Sequence, residues 1–297
     1  MVDLEILESE AIYILREAAA QFERCALLFS GGKDSTVMVR LAEKAFRPGP
    51  FPFPLLHIDT GQNFPEVITF RDSLVAGIGE KLIVGSVEKT LLDLGISREH
   101  PEYNNRNRLQ SKTLMSVIRE QKLTACIGGA RRDEEKARAK ERIFSLRNQF
   151  GEWNPRNQRP ELWDILNGRM HTGEHMRVFP ISNWSELDVW NYIKQEKLEL
   201  PSIYYAHERE VVPRDGKLIP MHDWLQVEPD EERVRLSVRF RTVGDISCTA
   251  AVRSVAENVD AIIEELRTST ISERGETRID DAFSESAMEE RKSEGYF

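Results

Sequence analysis

The 297-residue chain is poor in cysteine, with only Cys25, Cys126 and Cys248, widely spaced and without a CxxC pair. Neither a disulfide framework nor a cysteine-only zinc or iron-sulfur site is therefore expected, and buried free thiols are the simpler reading. Long apolar runs are missing too: none approaches the roughly 20 residues that a membrane-crossing helix needs. The segment Met1-Val2-Asp3-Leu4-Glu5 is acidic where a secretory signal is basic and then apolar. A soluble, cytoplasmic protein with no membrane partner is expected. Basic charge is in deficit, with 41 Lys and Arg against 50 Asp and Glu. A general nucleic-acid binder usually carries a net basic surface, so no nucleic-acid partner is expected. His171 and His175 have the i,i+4 spacing of a helical metal pair, but Gly173 lies between them and no third ligand is near. They read as a polar loop, not a zinc site.

What the chain does have is Ser30-Gly31-Gly32-Lys33-Asp34-Ser35, directly after the apolar run Ala26-Leu27-Leu28-Phe29 and opening a helical pattern with Val37, Met38, Val39 and Leu41. A strand, a glycine turn and a helix N-terminus make an anion site: glycines let the backbone approach, free amides point at phosphate oxygens, and Lys33 adds a full charge on a solvent-facing loop. The frame differs from GxxxxGK[ST], because two adjacent glycines precede Lys-Asp-Ser. It resembles the pyrophosphate loop of enzymes that split ATP between its α and β phosphates. A plain glycine turn explains the glycines but not the Ser-x-x-Lys-Asp-Ser frame.

With 40% apolar content the chain can bury a full α/β core and a smaller appendage. Leu4, Ile6, Leu7, Ile12, Leu15 and Ala19 suggest an N-terminal amphipathic helix. Further strands are expected at Pro54 to Asp59, Lys81 to Val84, Thr124 to Gly128 and Arg177 to Ile181, with a helix from Phe64-Pro65-Glu66 and another near Asn107 to Gln121. Strand and helix alternate, which implies an α/β fold: a mostly parallel, doubly wound sheet with helices on both faces. The organisation expected is an ATP-binding α/β domain over residues 1–200 and a C-terminal appendage over 201–297, carrying a hairpin at Asp215-Gly216, a short helix at Val255 to Leu266 and a charged tail.

Ligands of such sheets bind outside the carboxyl ends of the strands. Ser30 to Ser35, Asp59 to Gly61 and Gly128 to Arg132 all follow predicted strands and should converge on one cleft. Asp59 can orient a nucleotide, hold magnesium or simply cap the next helix. Arg131 and Arg132, after Gly128-Gly129-Ala130, offer guanidinium forks that match phosphate or sulfate oxygens. Asp133 to Arg147 alternates acid and base as a solvated helix does, and Arg106 and Arg108 are secondary anion candidates. Ser185-Glu186-Leu187-Asp188 fits a capping box before a packed helix face.

As a whole these residues resemble the small, catalytic subunit family of bacterial sulfate adenylyltransferase, the ATP sulfurylase that works with a GTPase large subunit. The resemblance rests on Ser30 to Ser35, His57-Ile58-Asp59-Thr60-Gly61, Gly129-Ala130-Arg131-Arg132-Asp133-Glu134-Glu135, Phe179-Pro180-Ile181-Ser182-Asn183-Trp184, and the tail from Glu273 through Arg278 to Tyr296-Phe297. It departs at Gly244-Asp245-Ile246-Ser247-Cys248-Thr249, where a glycine-rich, proline-containing turn is expected.

The resemblance implies an adenine nucleotide α-hydrolase-like fold and the reaction of ATP with sulfate to adenosine 5′-phosphosulfate and pyrophosphate, the first step of sulfate assimilation. It implies a pyrophosphate cradle of Ser30, Gly31, Gly32, Lys33, Asp34 and Ser35; catalytic roles for Lys33, Arg131 and Arg132; and Asp59 and Gly129 near nucleotide or metal. It further implies Mg2+ brought with ATP, GTP hydrolysis on the partner of a heterodimer, and a tail that orders over the nucleotide or against that partner. Two alternatives remain: a phosphosulfate or adenylylsulfate reductase-like protein, which needs an accessible thiolate, and a non-catalytic nucleotide-binding subunit.

Overall fold

The computed structural model describes residues 3–97, 103, 106–134, 136–268, 277 and 279. Helix α1, Leu4–Gln21, starts where the Asp3 side chain accepts a hydrogen bond from the Glu5 amide, and buries Leu7, Ala11, Ile14, Leu15 and Ala18 as one stripe. Ile6, expected on that face, is 63% exposed, because the stripe is centred one step away from it. Strand β1, Cys25–Leu28, follows and leads into α2, Lys33–Phe46, on which α1 packs.

Strand β2, Leu55–Asp59, is followed by α3, Pro65–Ile78, with proline in its first turn and Gly79 in the left-handed conformation at its end. Strand β3, Leu82–Ser86, α4, Val87–Asp93, and α5, Arg106–Gln121, precede β4, Ala125–Ile127. Strands β5, Phe144–Arg147, and β6, His175–Val178, complete a six-stranded sheet of order β3-β2-β1-β4-β6-β5. Every pair is parallel except β5 with β6. Alternate strand residues serve opposite cores: Leu27, Leu55, Ala125, Ile127 and Met176 join α1, α2 and α6, Glu186–Glu196, whereas Ala26, Leu56 and Cys126 meet Leu114, Met115 and Ile118 of α5. Helices on both faces are thus a direct result of strand alternation.

Strand β5 replaces the solvated helix expected over Asp133 to Arg147. Lys136–Lys140 forms a 3-10 turn, and the following strand is buried throughout although Ser145 and Arg147 are polar. Both bind the carboxylate of Glu141, at 2.7 Å each, so the Arg147 charge is buried against an opposite charge.

A second, antiparallel sheet of order β10-β9-β7-β8 is formed by β7, His207–Arg214, β8, Lys217–Pro220, β9, Val234–Arg239, and β10, Val252–Arg253. The hairpin turn between β7 and β8 has Asp215 and Gly216 both at positive φ, 50° and 75°, the two-residue turn that their sequence announces. Helix α7, Val259–Thr268, packs on α6, and Leu200, Tyr204, Ile262 and Ile263 share the core of the first sheet. No helix among the described residues is long and apolar enough to cross a membrane.

Candidate functional site

The chain runs from β1 outward through β2 to β3 and then returns to place β4 on the other side of β1. The loops leaving β1 and β4 therefore diverge, opening the crevice at which ligands of doubly wound sheets bind. Ser30 to Ser35, Asp59 to Gly61 and Gly128 to Arg132 leave three neighbouring strands at this edge.

Gly31 has φ +81°, and a Cβ there would stand 2.8 Å from Val67 Cγ1, so both its backbone angle and its packing on α3 require glycine. The Ser30 and Ser35 hydroxyl oxygens lie 3.1 Å apart, and the Gly32 amide donates to Ser30 Oγ, which closes the turn from inside. The Lys33 amide, the first of α2, donates to the Tyr204 hydroxyl at 2.8 Å. Lys33 is not on a solvent-facing surface: it is 1% exposed, its ammonium donating to Asp34 Oδ2 at 3.0 Å and to the Arg241 carbonyl at 3.4 Å.

A chain of charge pairs extends from this lysine. Asp34 Oδ1 accepts from Arg131 Nε at 2.7 Å, and Arg131 Nη1 donates to Asp133 Oδ1 at 2.5 Å. Asp133 Oδ2 accepts from the Glu186 amide at the start of α6, and Glu186 in turn pairs with Arg241 at 2.6 Å. Since the Arg241 carbonyl receives Lys33, the ring closes, tying together the loops after β1 and β4, the N-terminus of α6 and the segment after β9. Gly129 makes the approach possible, because a Cβ there would lie 3.1 Å from Asp34 Cβ and 3.2 Å from its carbonyl carbon.

The two aspartates that share Arg131 titrate in opposite directions. Burial pushes the Asp34 carboxyl up, but Lys33 and Arg131 outweigh it and hold the group below its usual range. Burial raises Asp133, and there Arg131 and the Glu186 amide do not compensate. Lys33 adds to Arg131 at Asp34, whereas Glu134 and Asp34 push Asp133 further up.

Arg132 turns away from this ring: its Nε and Nη2 donate to the Glu141 carbonyl at 3.2 and 3.0 Å, and its Nη1 to Asn183. Asp59 sits at the end of β2 with Oδ1 accepting from the Gly61 amide at 2.8 Å and Oδ2 4.0 Å from Arg71. Arg106 reaches the same rim, its Nη1 donating to Glu88 at 2.8 Å and to the Thr60 carbonyl at 3.3 Å. The Arg108 side chain lies outside the described residues.

Sequence reasoning missed Tyr204, Glu186, Arg241 and Arg71. The first and third are 171 and 37 residues beyond Lys33 and Tyr204 respectively, and no local pattern links them to the loop. Glu186 was visible only as part of the capping box, which is present with Ser185 and Asp188.

The Gly244 to Thr249 segment, where a glycine-proline turn is expected, is a 3-10 turn capped by Asp245, whose carboxylate accepts from the Ser247 amide at 2.9 Å. It pairs with the β2 loop through Asn63 and Asp245. Thr277 packs on it: the Ala250 amide donates to the Thr277 carbonyl at 2.8 Å, and the Ile279 amide to the Cys248 carbonyl at 3.2 Å. The other tail residues singled out in the sequence, Arg278 and Glu289 to Phe297 among them, lie outside the described residues.

All three thiols are buried, and burial pushes Cys25 up to about 12 and Cys126 upward as well. Cys25 and Cys126 are thus poor thiolates, unlike the nucleophile a reductase requires. Among the described residues no cluster of three His, Cys, Asp or Glu side chains is arranged to hold a metal ion.

Residues 24–251 match the phosphoadenosine phosphosulfate reductase domain. Over 294 residues the chain is 57% identical to sulfate adenylyltransferase subunit 2 of Mycolicibacterium vanbaalenii, covering 99% of this chain and 94% of that protein. It is 55% identical, at the same coverage, to sulfate adenylyltransferase subunit 2 of Mycobacterium tuberculosis. Among solved structures, a mutant FMN adenylyltransferase of Candida glabrata shares the fold at a TM-score of 0.50 and 12% identity, covering 92% of this chain and 87% of that one. By its identity along nearly its whole length, the chain belongs to the sulfate adenylyltransferase subunit 2 family, nucleotidyltransferase subunits built on the phosphoadenosine phosphosulfate reductase domain.

Proposed function

We propose that this chain transfers the adenylyl group of ATP to sulfate, giving adenosine 5′-phosphosulfate and pyrophosphate, as the catalytic partner of a GTPase large subunit in the cytoplasm. A sulfate oxygen bonds to the α-phosphorus as the bond from that phosphorus to the bridging oxygen breaks, and the electron pair leaves with pyrophosphate. Sulfate arrives ionised, so the protein's work is positioning and charge stabilisation rather than acid-base chemistry. The observation that carries the reading is the contact chain Lys33–Asp34–Arg131, which joins the glycine loop after β1 to the arginine loop after β4 across the crevice of the sheet.

In this reading Ser30, Gly31, Gly32, Lys33 and Ser35 cradle the pyrophosphate, Asp34 holds the loop's cation and Arg131 together, and Arg131 and Arg132 serve the sulfate or α-phosphate. Arg106 and Arg108 are the next anion candidates. The division at residues 200 and 201 belongs to the same proposal: the appendage supplies Tyr204 and Arg241 to the loop of the first part.

Magnesium fits as a companion of the triphosphate. Both Asp34 oxygens are taken by cationic side chains, and Asp59 offers one oxygen to Gly61 and holds the other 4.0 Å from Arg71. Such a donor set suits an ion that keeps most of its waters and its phosphate ligands, with Asp59 and Gly129 at the nucleotide. When bound, the ion would neutralise charge on the leaving group.

The product anhydride lies uphill of its reactants, and the chain has no GxxxxGK[ST] loop of its own, so GTP hydrolysis on the partner supplies the drive. Sulfate-dependent exchange of labelled pyrophosphate into ATP tests the chemistry. Exchange that needs sulfate supports the reading, and exchange or hydrolysis indifferent to sulfate contradicts it.

A further inference from the structure

On α3, Val67 and Arg71 lie one turn apart on the face that meets the glycine loop: a Cβ on Gly31 would be 2.8 Å from Val67 Cγ1 and 3.9 Å from Arg71 Cβ. Helical side chains lean toward their own N-terminus, which for α3 is the end at the β2 rim, so the guanidinium of Arg71 reaches back toward the site. It is 8% exposed. Its Nε and Nη2 both go to Asp72, at 2.8 and 2.7 Å, a carboxylate that is itself 59% exposed. Its Nη1 is buried, has no hydrogen-bond acceptor among the described residues, and stands 4.0 Å from Asp59 Oδ2, beyond hydrogen-bond reach.

The neighbouring His57 does not offer Nη1 a negative charge. Its Nδ1 donates to the Phe29 carbonyl at 2.8 Å, and burial, with the Arg71 charge adding to it, holds the ring below its usual range and so neutral. A buried guanidinium N–H beside the first glycine of an anion loop is matched by an anionic oxygen, which arginine binds in preference to neutral acceptors.

We propose that Arg71 is a further nucleotide-binding residue, its Nη1 donating to a phosphate oxygen of the bound nucleoside triphosphate beside Gly31. The inference rests on the ATP-binding reading above and extends it to the third wall of the crevice. Arg71 then holds the nucleotide from the β2 side, opposite the Arg131 wall.

The test is calorimetric titration of the full chain, as wild type, Arg71→Gln and Arg71→Lys, with ATP and separately with adenosine, alongside melting curves. Loss of one charge-assisted hydrogen bond corresponds to a weakening of about tenfold or more. That loss is expected for ATP with Arg71→Gln, with adenosine binding unchanged, and a smaller loss for ATP with Arg71→Lys. Wild-type ATP affinity in a folded Arg71→Gln chain overturns the proposal, as does equal weakening of ATP and adenosine, which marks a role in seating α3. If Arg71→Gln does not fold, Arg71→Lys decides: wild-type ATP affinity there overturns the proposal. A wild-type chain that binds no ATP overturns instead the reading on which this rests.

Discussion

Arg131 Nε donates to Asp34 Oδ1 at 2.7 Å, joining the loop that leaves β4 to the first turn of the helix that follows β1. The pair spans 97 residues of sequence and bridges the point where the two loops diverge. It makes the cationic groups of the site part of the fold, so removing either partner acts on both structure and chemistry.

Arg131→Lys should therefore do more harm than Arg132→Lys. Lysine keeps the charge but cannot hold Asp34 and Asp133 on two edges of one plane. Initial rates with ATP and sulfate varied should show a fall of about 10²-fold for Arg131→Lys, comparable to losing a preorganised electrostatic contact. Arg132→Lys, which keeps the charge but loses the planar fork that serves the anion and the contacts to the Glu141 carbonyl and Asn183, should fall by less and still need more sulfate. Equal sulfate dependence in both variants and the wild type would move the sulfate site toward Arg106 and Arg108.

Lys33→Ala is expected to abolish product formation and also to lower the melting temperature. A solvent-facing lysine would show only the first effect. Removing one member of a buried ion pair costs about 3–5 kcal/mol, and here the cost should be smaller, because Asp34 keeps Arg131 and is 22% exposed. Full stability with full turnover would end the pyrophosphate-loop assignment.

Acid unfolding reports on Asp34. Its carboxyl is held lower in the fold than in the unfolded chain, whose value is about 3.9. The stabilisation is therefore complete above that value and is lost as pH falls through the lower folded value. Asp34→Asn should flatten the loss of unfolding free energy below about pH 4 relative to wild type. Parallel acid limbs in chemical denaturation would show that Asp34 does not contribute.

Gly129→Ala should weaken fold and activity together. The added Cβ would meet Asp34 Cβ at 3.1 Å and the Asp34 carbonyl carbon at 3.2 Å, atoms of a helix start that cannot swing aside. Overpacking of this kind costs about 1–3 kcal/mol. A variant with an unchanged melting curve and unchanged rate would mean that the β4 loop can retreat from α2 without consequence.

The glycine loop was legible because its signal is local: an apolar run, two glycines, and a helix whose face begins at once. The convergence of the three strand-end segments was legible as well, since parallel strands carry their ligands at one edge. The burial of Lys33 was not. Its partners Tyr204 and Arg241 lie 171 and 208 residues away, and only the folded chain brings them to it. Strand β5 was hidden for another reason: Ser145 and Arg147 read as surface residues until Glu141 is seen beneath them. Ile6 shows the same limit on α1, where periodicity locates a stripe to within one residue but not its centre.

The central claim is adenylyl transfer to sulfate, and the most direct measurement is pyrophosphate release from ATP by this chain, with and without sulfate, and with and without its GTPase partner and GTP. Release that requires sulfate, yields adenosine 5′-phosphosulfate in equal amount and rises when the partner hydrolyses GTP is the expected result. Release independent of sulfate, or none under any of these conditions from a chain that is folded and paired, would contradict it.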